Sequence, residues 1–226
     1  MGTWLKWLES FERDLLQTLD SSDLPRNRLT IAIGGFSGVG KDTLAISLQR
    51  LFRERFDKNL SIVVAGETLR QLARRNGFRE SDLDLYMEKI TNEKSAEDLD
   101  RRIEQETLKK ALTGAGEIFV GRMAPFSIGD WAFTIWLEAE RKAIAWRVVN
   151  DPNRAEYRMD EKEIARKLEH RDETDHARYE AVYSIRISEL VPKVDLLLDT
   201  TQIDITQASE LAFSNAIKRF QELNLL

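Results

Sequence analysis

The chemistry of this chain is most legible in Gly35-Phe36-Ser37-Gly38-Val39-Gly40-Lys41-Asp42-Thr43. The apolar run at 29–34 ahead of it reads as a strand, and the pattern at 44–56 behind it reads as a helix. Glycines let the turn between them curl with its N–H groups inward. The following helix presents the positive end of its dipole, and Lys41 adds a point charge. Gly35, Phe36, Ser37, Gly38, Val39, Gly40, Lys41, Asp42 and Thr43 therefore read as a cradle for a polyphosphate. In such cradles the residue after the lysine is a Ser or Thr that meets Mg2+; here it is Asp42, with Thr43 beyond. Asp42 and Thr43 are the candidate Mg2+ positions, through water, and Asp42 reads alternatively as a cap on the helix.

A cradle alone does not separate a switch, a motor and a phosphotransferase. The chain has no Asn-Lys-x-Asp segment to read a guanine. Its third apolar run ends in Gly121-Arg122 rather than in the acidic pair of a motor. An arginine at the carboxyl end of a strand faces the ligand crevice of an open α/β sheet, where its fork suits a second phosphate. Further cations sit at helical spacings: Arg70 beside Glu67 and Arg74, and Arg171 and Arg178 on either side of Asp175. Solvated ion-pair ladders produce the same spacings. Arg147, Arg154 and Arg158 are candidates to cover a donor nucleotide, and His170 and His176 receive no role.

These residues need elements to hold them. At 226 residues, 42% hydrophobic and 32% charged, the chain suits one helix-rich domain of residues 1–226 and argues against a disordered or fibrous one. β-rich runs at 29–33, 60–65, 117–120, 133–137 and 194–198 alternate with long helical stretches, which predicts a parallel sheet wrapped by helices. Two polar insertions interrupt the alternation, at 67–112 and 150–183. A net charge of -5 gives no general attraction to nucleic acid. With no cysteine, disulfides and thiolate chemistry are excluded. No apolar run spans a membrane and no signal peptide is evident, so the expected location is cytoplasmic. Trp4, Leu8, Phe11, Leu15 and Leu19 mark an amphipathic helix within an extension, residues 1–25. Its stripe is expected to be covered by the domain or by a second copy in a homodimer, with a membrane surface as the other reading.

Three segments carry a resemblance. Ala65-Gly66-Glu67-Thr68-Leu69-Arg70-Gln71-Leu72-Ala73 resembles the Gly-Glu-x-x-Arg-x-x-Ala segment of archaeal-type cytidylate kinases. Gly121-Arg122 resembles that family's Glu-Gly-Arg, and the stretch from Arg171 to Tyr179 resembles its Arg-x-x-x-Asp-x-x-Arg-Tyr lid segment. They fall in family order, and the likeness covers about residues 29–220. It implies that Arg70 and Arg122 hold the acceptor's α-phosphate, with Glu67 near its entrance. It places Arg171 and Arg178 at the transferring phosphoryl, Asp175 at the acceptor ribose, and Lys41 at the donor's β and γ phosphates. Lys41, Arg122, Arg171 and Arg178 are then the catalytic set. Val120 stands where the family has Glu, and Met123, Pro125 and Phe126 follow Arg122 where bacterial members have an acidic residue that reads the base.

The resulting expectation is a three-layer α/β P-loop fold with five parallel strands, an acceptor-binding insertion (67–112), a lid (150–183) and an N-terminal helix. The implied reaction moves a phosphoryl group from ATP, with Mg2+, to CMP or dCMP. Two other readings remain open: a P-loop kinase of another nucleotide or small metabolite, and a nucleotide-binding regulatory protein without catalysis. The second draws on Asp42, Val120 and the N-terminal helix.

Overall fold

The structure, a computed structural model, describes residues 3–19, 28–65, 67, 74–75, 77–79, 95–152 and 156–226. Five strands form one parallel sheet: β1 (Ile31–Gly35), β2 (Ser61–Val64), β3 (Glu117–Val120), β4 (Phe133–Glu138) and β5 (Leu196–Asp199), in the order β2-β3-β1-β4-β5. All five lie within two residues of the runs read from the sequence. β1 is central and buried along its length, pairing Ile31 with Ile118 on one side and with Phe133 on the other. Its alternation divides the core by face: Ile31 and Ile33 join one apolar cluster while Ala32 joins another.

The first layer of helices consists of α2 (Lys41–Phe56), α5 (Arg141–Asn150) and α8 (Ile205–Glu222), whose Leu48, Phe52, Ile144 and Phe213 pack with Ile33 and Ile135. The opposite layer holds α1 (Thr3–Thr18), α3 (Ser95–Thr113), α4 (Ala124–Ile128), the C-terminal part of α6 (Glu161–Tyr183) and α7 (Ile187–Leu190). Within the expected insertion 67–112, the residues from 95 onward belong to α3. Within 150–183, residues 161–183 form the single long helix α6, with Ile164, Asp172, Tyr179 and Tyr183 buried.

The stripe of α1 is covered by its own chain. Trp4 and Leu8 are buried among Leu108, Leu112, Tyr179 and Tyr183, with the Trp4 ring 5.3 Å from that of Tyr183. Polar contacts fix the helix further: Trp131 Nε1 donates to Glu12 Oε1 at 2.8 Å, and Arg101 lies over the Trp7 ring. Truncating Trp4 to Ala should destabilise the fold by about 3 kcal/mol, the low end for a buried indole because its N–H has no hydrogen-bond partner. Urea unfolding measures this. A loss under about 1 kcal/mol would mean that α1 is an appendage rather than a core element.

Among the described residues no helix is long and apolar enough to cross a membrane.

Candidate phosphate-binding site

Parallel strands bring every carboxyl end to one edge of the sheet, and the chain leaves β1 for opposite sides at β3 and β4. That switch point opens a crevice above β1, where the turn into α2 sits. Gly38 and Gly40 adopt positive φ of 78° and 99°, a region that L side chains enter only with strain, so the turn closes in five residues. The helix therefore starts at Lys41, three residues earlier than its apolar pattern indicates. Its N-cap is Gly40, with no side-chain cap bond, and Asp42 is exposed in the first turn. The reading of Asp42 as the cap is thus corrected: a left-handed glycine already occupies that position. By contrast α6 and α8 are capped, by Asp160 accepting from the Glu163 amide and by Asp204 in a reciprocal box with Gln207. The α2 terminus keeps its amides for an outside acceptor.

Lys41 is folded into the turn, its Nζ donating to the carbonyls of Gly35 (2.8 Å) and Phe36 (2.7 Å). Burial, and then the Arg122 charge, lower its pKa to about 7. A polyphosphate reverses that balance by supplying the missing counter-charge. Binding at pH 8 should therefore take up a proton, and affinity for a nucleoside triphosphate should fall as pH rises above 7, by at most about tenfold per unit. Calorimetry in buffers of different ionisation enthalpy measures the uptake. Proton-neutral binding at pH 8 would contradict this account of Lys41.

Beside the cradle lies a chain of alternating charges that crosses four elements. Arg141, at the start of α5, donates to Asp172 Oδ2 on α6 at 2.6 Å. Arg122, just after β3, donates to Asp172 Oδ1 at 3.3 Å and to Ser37 Oγ at 3.0 Å, and pairs with Asp175. Arg178 meets Asp175 at 3.1 Å and pairs with Asp100 on α3. Asp172 also accepts from the Ser37 amide, at 3.2 Å, so the chain is bonded directly to the cradle. Burial lowers the Arg122 pKa, yet the two facing carboxylates keep it an ion pair. Phe36 packs against Trp136 and His176 and lies under the Arg122 guanidinium, 5.7 Å from its ring.

Of the site residues read from the sequence, the structure brings Lys41, Ser37, Arg122, Asp175 and Arg178 into one cluster. Arg171 is exposed on α6, its charge still felt by Lys41 and Arg122. Glu67 follows β2 and pairs with Arg74 at 3.5 Å. Arg70 and Arg154 lie outside the described residues. Asp42 and Thr43 are both exposed beside the cradle.

Asp172, Arg141, Asp100 and Glu104 were not singled out by sequence reasoning. The last two stand on α3 within its buried stripe, with Leu108, Ala111 and Leu112, and acids inside an apolar stripe are a detectable signal. Burial pushes the Glu104 carboxyl up to about 8, and Ser127 donates to it.

On the other side of the cradle a cavity of about 510 Å³ is lined by Gly38, Gly40, Thr43, Trp146, Arg147 and the loop after β5. Arg147 ties α5 to that loop, bonding Thr200 Oγ1 at 3.1 Å and also the Thr200 carbonyl. The cradle thus lies between a cavity of mixed apolar and polar lining and a guanidinium cluster.

No family model matches the chain. Its sequence is similar to curated cytidylate kinases of archaea. With that of Pyrobaculum islandicum it is 27% identical over 186 residues, covering 81% of this chain and 90% of the relative. With that of Methanospirillum hungatei it is 26% identical over 194 residues, covering 86% and 99%. The resemblance read from the three motifs therefore extends over about four fifths of the chain. Among solved structures, an uncharacterized protein from Eubacterium ventriosum superimposes with a TM-score of 0.61 at 16% identity, covering 85% of this chain and all of the other. A shikimate kinase from Acinetobacter baumannii superimposes with 0.52 at 15% identity, covering 89% and 97%. A second shikimate kinase, from Bacteroides thetaiotaomicron, gives 0.51 at 15% identity, covering 88% and 99%. The fold is the three-layer α/β P-loop fold with five parallel strands.

Proposed function

We propose that this chain, a relative of the archaeal cytidylate kinases, transfers the γ-phosphoryl group of ATP to a nucleoside monophosphate, CMP or dCMP. One observation carries the reading: a guanidinium from the far side of the crevice, Arg122, reaches the Ser37 hydroxyl of the phosphate cradle. Two polyanions are brought together only where cations stand between them, and phosphoryl transfer needs such alignment rather than a covalent nucleophile.

In this reading ATP lies with its base in the cavity beside Arg147 and its phosphates in the cradle, with Lys41 on the β and γ phosphates. The acceptor's α-phosphate meets Arg122 and Arg70, near Glu67, and Asp175 takes a ribose hydroxyl. Arg171 and Arg178 neutralise charge on the moving phosphoryl. Among the described residues no group of three or more carboxylates and histidines forms a self-contained metal site. That suits Mg2+ arriving on the nucleotide, since this ion keeps several waters and uses one or two carboxylates. Asp42 and Thr43, exposed at the cradle mouth, are the residues that would hold it, Asp42 through water; Mg2+ when bound neutralises the donor's phosphate charge.

Residues 150–183 act as the lid, excluding water that would otherwise hydrolyse ATP. Ile164, Tyr179 and Tyr183 are all buried, so α6 itself is anchored near both of its ends. A bisubstrate analogue should protect residues 150–183 from limited proteolysis, and unchanged cutting there would reject the lid.

The deciding experiment measures ADP release with each common nucleoside monophosphate. Turnover highest with CMP or dCMP supports the reading. Strong turnover only with a non-pyrimidine acceptor would replace the substrate, and none with any acceptor would favour a non-catalytic nucleotide-binding role.

A further inference from the structure

We propose that Asp172 is a positioning residue of this site, holding Arg122 and Arg141 against the phosphate cradle. The inference rests on the kinase reading. Its side chain is buried, and three donors reach its carboxylate. The Ser37 amide reaches Oδ1 at 3.2 Å, Arg122 reaches the same oxygen at 3.3 Å, and Arg141 reaches Oδ2 at 2.6 Å. These donors come from three separate places in the fold: the turn after β1, the turn after β3 and the start of α5. Arg122 also bonds Ser37 Oγ directly, and one carboxylate on α6 ties Arg141 to both.

The donors gathered on Asp172 are also of a distinct kind. A cradle amide and two guanidinium forks are the groups that bind phosphate oxygens, and here they converge on an oxyanion supplied by the chain itself. Asp172 therefore fixes the direction of the Arg122 fork before a nucleotide arrives. Its charge also allows Arg122, Arg141, Arg171 and Lys41 to gather in one partly buried region without mutual repulsion opening it. Asp175 pairs instead with Arg122 and Arg178.

The test is Asp172→Asn, which keeps shape and one acceptor oxygen but removes the charge. It should lower kcat by about 100-fold through misaimed guanidinium groups while moving the KM of either nucleotide by less than about threefold. Asp172→Glu, which restores the charge at a longer reach, should recover part of the loss.

Wild-type turnover together with an Asn variant that keeps kcat within about threefold would overturn the role of Asp172. So would equal kcat loss in the Asn and Glu variants with a lowered melting temperature, which marks a purely structural contact. If Asp172→Asn does not fold, Arg141→Gln must show the same kcat loss and KM constancy, and failure to do so overturns the proposal. Absence of wild-type turnover with every acceptor would instead reject the kinase reading on which it rests.

Discussion

A Lys41→Met variant should keep its fold and lose turnover by about a thousandfold or more. The two halves of that expectation come from the same burial. In the free protein the ammonium is buried, held by the carbonyls of Gly35 and Phe36, and its pKa is drawn down to about 7. A charge so placed opposes folding, and methionine of similar length fills the same space without that penalty. Thermal unfolding should therefore be unchanged or slightly raised. Activity behaves oppositely, because charge on the donor phosphates grows toward the transition state and the lysine is its nearest cation in the cradle. A variant retaining more than about a tenth of wild-type kcat/KM would show that Lys41 does not meet the reacting phosphates.

Replacing Arg122 by Met should cost both activity and stability. Its guanidinium bonds Ser37 Oγ and Asp172 and pairs with Asp175. Removing it leaves the buried Asp172 and the partly buried Asp175 each with one cation fewer. Loss of one partner of a buried pair costs about 3–5 kcal/mol, and the low end applies because Arg141 and Arg178 still hold Asp172 and Asp175. On activity the loss should reach about 100- to 1000-fold in kcat/KM, appearing largely in kcat because, in the kinase reading, the aimed Arg122 fork meets the acceptor phosphate most closely in the transition state. Arg122→Lys separates charge from shape: it should recover stability more than activity, since a point charge cannot span Ser37, Asp172 and Asp175 as a fork does. Steady-state kinetics on both nucleotides with urea unfolding on the same samples measures this. Equal recovery of both by lysine would mean that only the charge counts.

How much of this site was visible beforehand differs residue by residue. The cradle was legible because its chemistry is local: glycine spacing, lysine and helix start all fall within nine consecutive residues. Arg122 was legible because the end of a parallel strand has one destination, the crevice. Arg178 and Asp175 were found, but their helical spacing fitted a solvated ladder equally well, and only the fold shows them partly buried, with Arg178 paired to Asp100 on α3. Asp172 carried no comparable signal. Its partners are 135, 50 and 31 residues away in sequence, so its position in a charged helix looks solvated until the sheet brings them together. Asp42 shows the reverse: its type suggested a cap, and the left-handed Gly40 took that place.

By itself, then, the sequence determined the strands, the order in which helices separate them, and the polyphosphate cradle, because hydrophobic period and glycine spacing act over a few residues. The sheet order β2-β3-β1-β4-β5 and the burial of α1 under its own domain were decided by tertiary packing. So was the chain of alternating charges from Arg141 to Asp100. Each depends on contacts between residues far apart in sequence, and in a partly buried crevice every charge must find an opposite one. That requirement selects the final pairing, and it acts only once the fold exists.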